Sequence, residues 1–529
     1  MSKIPRLLLA LALLTPAFAR AADERPNIVF IFTDDHCQQA LSAYDNRRMT
    51  TPNMDRIAAE GMRFNRCYVT NGICGPSRAV IQTGKYSHLN GFMTNSQKFN
   101  GDQPTFPKML HASGYRTAAI GKWHLESTPQ GYDFFDVLIG QGNYYNPTTL
   151  TGGIEAVAAK KENVGYTTDL ITEKSLAWLK ESRDSDQPFC LMLQHKAPHR
   201  DWQPGPKYLN WLDDVEIPEP DTLWDVYSNR ASPASNQTMS IKNDLNDADL
   251  KLIAPKYLNE AQLVAWNEAY GAENAAYLEK RGTMSPEEIV KWKYQRYVKD
   301  YLRCVKSVDD SIGEVLAYLD ESGLAKNTVV IYSSDQGWYL GEHGWFDKRW
   351  MYEESLKTPL LVRWPGVVAP GTVNDDIVSN LDFAETFLEI AGQPIPDDMQ
   401  GKSLVPILQG KTPEDWRKSF YYHYYEFPGP HNVARHYGVT DGTHKLIHYY
   451  ELGEWELFDL ASDPNELENR YGLPEWAATQ QRLEGELARL RVQYQLPAED
   501  PASSRRAANS GSGKGKKAQD AEGTPVPVP

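Results

Sequence analysis

The sequence predicts an α/β fold with a large, mostly parallel central sheet flanked by helices, followed by a smaller C-terminal α+β domain with an antiparallel sheet. Three observations predict it. Apolar or β-branched runs at residues 27–33 (NIVFIFT), 116–120 (RTAAI), 189–193 (FCLML), 328–332 (TVVIY) and 360–363 (LLVR) read as parallel strands buried on both faces. Helical stretches such as 53–61 and 169–183 lie between them, the alternation that places helices on both sides of a sheet. Near residue 410 the composition shifts to Tyr-rich segments with a turn signal at Asp441-Gly442.

Taken in order, the chain opens with Lys3 and Arg6, an apolar run at 7–14 (LLLALALL) and a small-x-small site at Ala17-Phe18-Ala19. That run is too short to span a bilayer, so residues 1–21 read as an export signal and the mature protein as secreted or periplasmic, with no stable membrane insertion. Residues 22–410 form the N-terminal domain. Within it, 201–284 is polar, Trp- and Tyr-rich and irregular, an insertion over one rim of a cleft. The clearest helix starts at Ser285-Pro286-Glu287-Glu288, an N-cap with Pro at the first helical position and Glu three residues after the cap. Val298, Tyr301, Leu302, Val305, Val308, Ile312, Val315, Leu316 and Leu319 give its core stripe, Cys304 rides on it as a structural residue, and Gly323 ends it. Residues 411–497 form the C-terminal domain, with strands at 419–426 and 437–451 and a terminal helix at 475–494. Residues 498–529 are Gly/Ser/Lys/Pro-rich and predict a disordered tail.

Composition limits the function. The 529 residues carry a formal net charge of −15, which argues against a sequence-independent nucleic-acid binder. Hydrophobic residues at 41% and aromatics at 11% supply a core and exclude a mainly disordered chain. Five cysteines are too few for a disulfide-stapled fold, although export would permit Cys37 or Cys67 to pair.

The chemistry-bearing residues follow the predicted strands. Asp34 and Asp35 follow 27–33; Lys122 and His124 follow 116–120; His195 and His199 follow 189–193; Asp335 and Gln336 follow 328–332. In an open parallel sheet the ligand site lies beyond the carboxyl ends of the strands. Asp34, Asp35, Asp335 and Gln336 form an oxygen-rich set suited to Ca²⁺, with Mg²⁺ second. Arg78, Lys122, His124, His199 and Lys348 are cationic or can become so. A hard cation beside several positive side chains makes an oxyanion site. Pro76, two residues after Cys74, favours a helix start, so Cys74 would sit at a helix N-terminus.

The pattern Cys74-Gly75-Pro76-Ser77-Arg78, followed by Thr83-Gly84, resembles the signature of the type I, formylglycine-dependent sulfatases. PNIVFIFTDD, GYRTAAIGKWHL, KAPH and SSDQGWYLGEHGWFDK resemble blocks of that family in the family's order, over about residues 25–480. Gln82, where the signature usually has Leu or Met, is the one departure. The resemblance implies an alkaline-phosphatase-like sandwich and an exported sulfuric ester hydrolase. It implies that a formylglycine-generating or sulfatase-maturating enzyme oxidises Cys74 to Cα-formylglycine, whose hydrate is the nucleophile. By the same resemblance, Asp34, Asp35, Asp335 and Gln336 would hold Ca²⁺ with residue 74, and Arg78 would steady the hydrate. Lys122 and Lys348 would bind the sulfate oxygens. His199 would protonate the leaving alcohol, and His124 would assist release of sulfate.

The substrate reading is a sulfated carbohydrate. The GEHGWFDKRWMYEES and KAPHRDW stretches look most like carbohydrate sulfatases of the N-acetylglucosamine-6-sulfatase kind. This predicts 6-O-sulfated N-acetylglucosamine of mucin or glycosaminoglycan, with Trp202, Trp338, Tyr339 and Trp345 stacking on sugar rings. His343 is a candidate for lining the pocket or for a hydrogen-bonding turn, and His423 reads as structural or as part of the pocket rim, with no catalytic role. Two other functions are open to the sequence: a phosphatase or phosphodiesterase of the same superfold, and a non-catalytic sulfated-glycan-binding protein should Cys74 stay unoxidised.

Overall fold

The computed structural model describes residues 25–182 and 187–500; the signal at 1–21 and most of the tail at 498–529 lie outside them. Ten strands form the central sheet. Its middle is five parallel strands in the spatial order Thr328–Ser334, Asn27–Thr33, Phe189–Gln194, Arg116–Lys122 and Phe134–Leu138. The strand Leu360–Arg363 falls where the sequence places it but pairs antiparallel with Thr328–Ser334, so the expectation of a parallel partner is corrected. The stretch 335–359 between them holds only the short helical turns Glu342–Gly344 and Glu353–Leu356, and so lacks the crossover helix that a parallel partner would need.

Burial on both faces explains the apolar runs. Ile28, Phe30 and Phe32 of the first strand join a core with Ala79, Ile81, Leu110, Phe383 and Phe387. Val29 and Ile31 join the opposite core with Ile57, Trp178, Val305, Ile312 and Leu316. Period-two alternation thus feeds two helical layers from one strand. The helix Pro286–Glu321 has the expected capping box at Ser285, runs 36 residues and contributes the expected stripe, with Cys304 fully buried on it. The stretch 201–284 is largely irregular, as expected, but it also contains the helix Glu260–Lys280, capped by Asn259.

The C-terminal unit is an antiparallel sheet of Phe420–Tyr424, His436–Thr440, His444–Tyr449 and Glu454–Asp459, covered by the helix Ala477–Gln493. Leu483, Leu487 and Leu490 of that helix share a core with Val80 and Tyr86, which lie on and just after the helix that begins at Cys74. The second domain therefore packs directly against the helix that carries the signature. All five cysteines are buried and free, Cys37 and Cys67 included. No helix among the described residues is long and apolar enough to cross a membrane.

Candidate active site

Strand register brings the acids together. Thr33 pairs with Ser334, so Asp34 and Asp35 leave the sheet beside Asp335 and Gln336. Ligand oxygens of Asp34, Asp35 and Asp335 lie within 4.8 Å of one another. The backbone N–H of Asp35 donates to Asp335 Oδ1 at 3.0 Å, and Gln336 Nε2 donates to Asp35 Oδ1. All four side chains are fully buried.

Cys74 is the first residue of the helix Cys74–Thr83, whose cap Ile73 offers no side-chain acceptor. Asn95 fills that role from another loop. Its Oδ1 accepts from the N–H of Gly75 at 3.1 Å, which turns Nδ2 toward Cys74 Sγ at 3.8 Å. The amide orientation is thus set by its partners. One turn on, Arg78 donates Nε and Nη2 to Asp335 Oδ2 at 3.1 and 3.0 Å, and Nη1 to the carbonyl of Lys122 at 2.8 Å. Ser77 Oγ donates to the Asp335 carbonyl at 2.6 Å. Gln82 is buried and accepts from the hydroxyl of Tyr132 at 3.0 Å, a packing role.

The cations close over this core. Lys348 donates to both oxygens of Asp35 and lies 5.0 Å from the Trp338 ring centroid. Lys122 lies against Asp34 and donates to Gln141 at 2.6 Å. His199 turns Nε2 toward Asp35 Oδ2 at 3.9 Å and Nδ1 toward the Arg200 carbonyl. Asp35, His124, Asp347 and Arg349 all sit at positive φ (67°, 51°, 79° and 92°), and non-glycine residues held there cluster at functional sites.

Burial dominates the charges in the pocket. Burial pushes Asp35 up to about 7, and Asp335 adds to the rise that Lys348 only partly offsets. Burial and nearby Lys196 push Lys122 down, whereas Asp35 and Cys74 hold Lys348 up against burial. Burial, then Lys122 and other cations, push His124 and His199 well down, so both are neutral at pH 7. Burial raises the Cys74 thiol. Oδ1 of Asp34 and Oε1 of Gln336 lack a hydrogen-bond partner, and Oδ2 of Asp34 is met only by Lys122. Orphaned buried oxygens in an all-oxygen acidic cluster fit a hard divalent cation.

The structure gathers Asp34, Asp35, Cys74, Arg78, Lys122, His124, His199, Asp335, Gln336 and Lys348 into one site. It does not bring in His343, which is fully buried, donates Nδ1–H to Asp225 at 3.0 Å and packs on Trp345 and Tyr352. The pocket-lining expectation for it is corrected. Trp202, Trp338, Tyr339 and Trp345 are also 0% exposed, packed on one another and on neighbouring core rings, so the sugar-stacking expectation is corrected as well. His423 is buried in its strand and bonded to the Tyr421 hydroxyl, as a structural residue would be. His195 is buried against Ser311 Oγ at 3.0 Å.

Sequence reasoning missed five further residues. Lys196 is buried beside the site, and its ammonium lies 4.9 Å from the Tyr144 ring. Asp347 and Arg349 flank Lys348 and pair with each other at 2.9 Å. His431 Nε2 lies 3.1 Å from Asp347, and Glu426 accepts from the backbone of Asn95 at 3.3 Å. The KAPH and FDKRW runs contained signals for the first three. His431 and Glu426 come from a C-terminal loop with no motif of its own.

Comparison with known proteins places the chain in a family. The sulfatase family profile matches residues 26–393, and the C-terminal profile of N-sulphoglucosamine sulphohydrolase matches 341–493. An N-acetylglucosamine-6-O-sulfatase of Bacteroides thetaiotaomicron is 46% identical, covering 92% of this chain and 91% of its own. The human N-acetylglucosamine-6-sulfatase is 28% identical, covering 75% of this chain and 67% of its own. A solved structure described in complex with its substrate, D-glucosamine-2-N,6-O-disulfate, superposes with a TM-score of 0.86 at 46% identity, over 89% of this chain and 98% of that one. A phosphonate monoester hydrolase of Silicibacter pomeroyi, at 20% identity and TM-score 0.66 over 89% and 96%, shares the fold alone.

Proposed function

The chain belongs to the sulfatase family and is a sulfuric ester hydrolase of alkaline-phosphatase-like fold; from that premise we propose that it is exported and removes the 6-O-sulfate of N-acetylglucosamine units in mucin or glycosaminoglycan. The observation that carries the reading is Cys74 at a helix N-terminus, ringed by Asp34, Asp335, Arg78 and His199. It is supported by the near full-length match to an N-acetylglucosamine-6-O-sulfatase.

Asp34, Asp35, Asp335 and Gln336 would hold Ca²⁺, which when bound places positive charge beside residue 74 and the sulfate. Oxidation of Cys74 to formylglycine by a maturation enzyme would supply, as its hydrate, the nucleophilic oxygen. The chain's own groups do the rest. Arg78, pinned to Asp335, and Asn95, pinned to Gly75, fix residue 74 from two sides. Lys122 and Lys348 offer ammonium groups to sulfate oxygens and exchange contacts with Asp34 and Asp35 for contacts with substrate. His199 keeps its Nδ1–H on the Arg200 carbonyl, so Nε2 is the atom that must take up a proton and pass it to the leaving alcohol. Its proton affinity, lowered by burial and cations, recovers when an anionic sulfate enters beside it. His124, buried with Nδ1 unpartnered, is placed to handle the proton of sulfate release. With the tryptophans buried, recognition of the sugar falls to charged groups next to Lys348: Asp347, Arg349 and His431.

The test is a parallel assay of the matured enzyme on N-acetylglucosamine-6-sulfate, galactose-6-sulfate, an aryl sulfate and an aryl phosphate. The proposal expects the first to be cleaved fastest. Faster cleavage of galactose-6-sulfate would overturn the sugar, and faster cleavage of the phosphate would favour the phosphatase reading that the shared fold allows.

A further inference from the structure

Before any oxidation, position 74 carries a thiol, and the donors around it differ in kind from the oxygen set assigned to calcium. One ligand atom each from Asp34, Cys74 and His199 lie within 4.8 Å of one another. Asp34 and Cys74 are 0% and 1% exposed, and the His199 side chain is 14% exposed. His199 points Nδ1 at a backbone carbonyl, the arrangement that fixes a ligating histidine and leaves the Nε2 lone pair for a metal. Asp34 Oδ1 has no hydrogen-bond partner, while Oδ2 meets the Lys122 ammonium. Cys74 opens its helix, and Asn95 Nδ2–H faces the sulfur. Sulfur, imidazole nitrogen and one carboxylate oxygen are the donors of zinc, whereas calcium takes oxygen. Zinc–ligand lengths put tetrahedral donors roughly 3.3–3.8 Å apart, so closure asks for a shift of about 1 Å.

We propose that the unoxidised chain binds one Zn²⁺ through Cys74 Sγ, His199 Nε2 and an Asp34 oxygen, with the fourth position open to water. The step involves no change of oxidation state: the S–H bond breaks, the Zn–S bond forms, and one proton passes to solvent per ion. Lys122 leaves Asp34 and keeps Gln141, to which it already donates. Oxidation of Cys74 then removes the only sulfur, and with it the zinc set, leaving the oxygen set. Residue 74 thus selects the metal. The zinc site does not depend on the formylglycine reading, since it uses the chain as translated.

The experiment uses the full chain produced without a maturation enzyme, its position-74 thiol verified by peptide mass. Titration with Co²⁺ should show one equivalent with a near-ultraviolet sulfur-to-cobalt band that Zn²⁺ displaces and Ca²⁺ does not. Cys74→Ser should abolish the band, and both Cys74→Ser and His199→Ala should weaken zinc binding at least tenfold, about 1.4 kcal/mol, with far-ultraviolet circular dichroism unchanged. Should a variant misfold, the wild-type chain decides alone: Zn²⁺ should slow iodoacetamide alkylation of Cys74. A cobalt complex without a sulfur band, unchanged affinity in both folded variants, or alkylation indifferent to Zn²⁺ would overturn the proposal. An active enzyme still bearing the thiol would instead count against the formylglycine reading, a separate result.

Discussion

Lys348 donates to both carboxylate oxygens of Asp35, at 2.7 and 2.8 Å, across 313 residues of sequence. The pair joins the end of the first strand to the loop that follows Thr328–Ser334, with both groups buried. A buried pair of this kind adds little to stability as a pair, but removing one partner strands the other.

Asp35→Asn should therefore lower the stability of calcium-free protein by on the order of 3 kcal/mol, because Lys348 loses its anion. Calorimetry in EDTA measures it. In wild type, Ca²⁺ at about a hundredfold its dissociation constant should add about 2.7 kcal/mol; in Asp35→Asn the added stability should shrink. Equal melting with and without calcium in wild type would count against the cation site.

Cys74→Ala should abolish sulfate release while the protein keeps its fold, since the side chain is small and its helix is held by Arg78, Ser77 and the packed Val80. Circular dichroism and a sulfate-release assay measure this. Turnover above background from that variant would remove Cys74 as the source of the nucleophile.

Asn95 is a positioning residue, acting through residue 74. Asn95→Ala should lower kcat by at least about tenfold and leave KM nearly unchanged. Binding of the sulfated sugar to a Cys74→Ser background should be the same with or without the Asn95 change. A rise in KM with constant kcat would place Asn95 on the substrate instead.

Stability should fall with acid through the buried neutral histidines. Burial holds His436 down to about 4 and His195 down to about 3, against an ordinary value of 6.5. A depressed folded value means the unfolded chain binds the extra proton. The stabilisation is full above pH 6.5 and is lost as pH falls toward 4, on the order of 3 kcal/mol for His436. Urea titrations at pH 7, 5.5 and 4.5 measure the slope, and His436→Phe should flatten it.

Much of this was legible in the sequence because local chemistry decided it. The strands 27–33 and 328–332 are apolar throughout because each feeds two cores, and the acids that follow them meet because the strands pair in register. The helix after Ser285 announced its own cap. What was not legible depends on contacts distant in sequence. Nothing local distinguishes a tryptophan packed in the core from one facing a sugar, so Trp202, Trp338 and Trp345 were placed on the wrong side. His343 looked like its neighbour Lys348, yet its partner Asp225 lies in the insertion. Asn95 and Glu426 meet only because the C-terminal sheet packs against the Cys74 helix. Leu360–Arg363 reads the same parallel or antiparallel, and it pairs antiparallel because 335–359 contains no crossover helix.

The most direct measurement is mass analysis of the tryptic peptide 67–78 from enzyme purified with sulfatase activity toward N-acetylglucosamine-6-sulfate. The account predicts that residue 74 has exchanged its sulfur for an aldehyde oxygen in proportion to specific activity. A fully active preparation in which residue 74 is still an intact cysteine would contradict it.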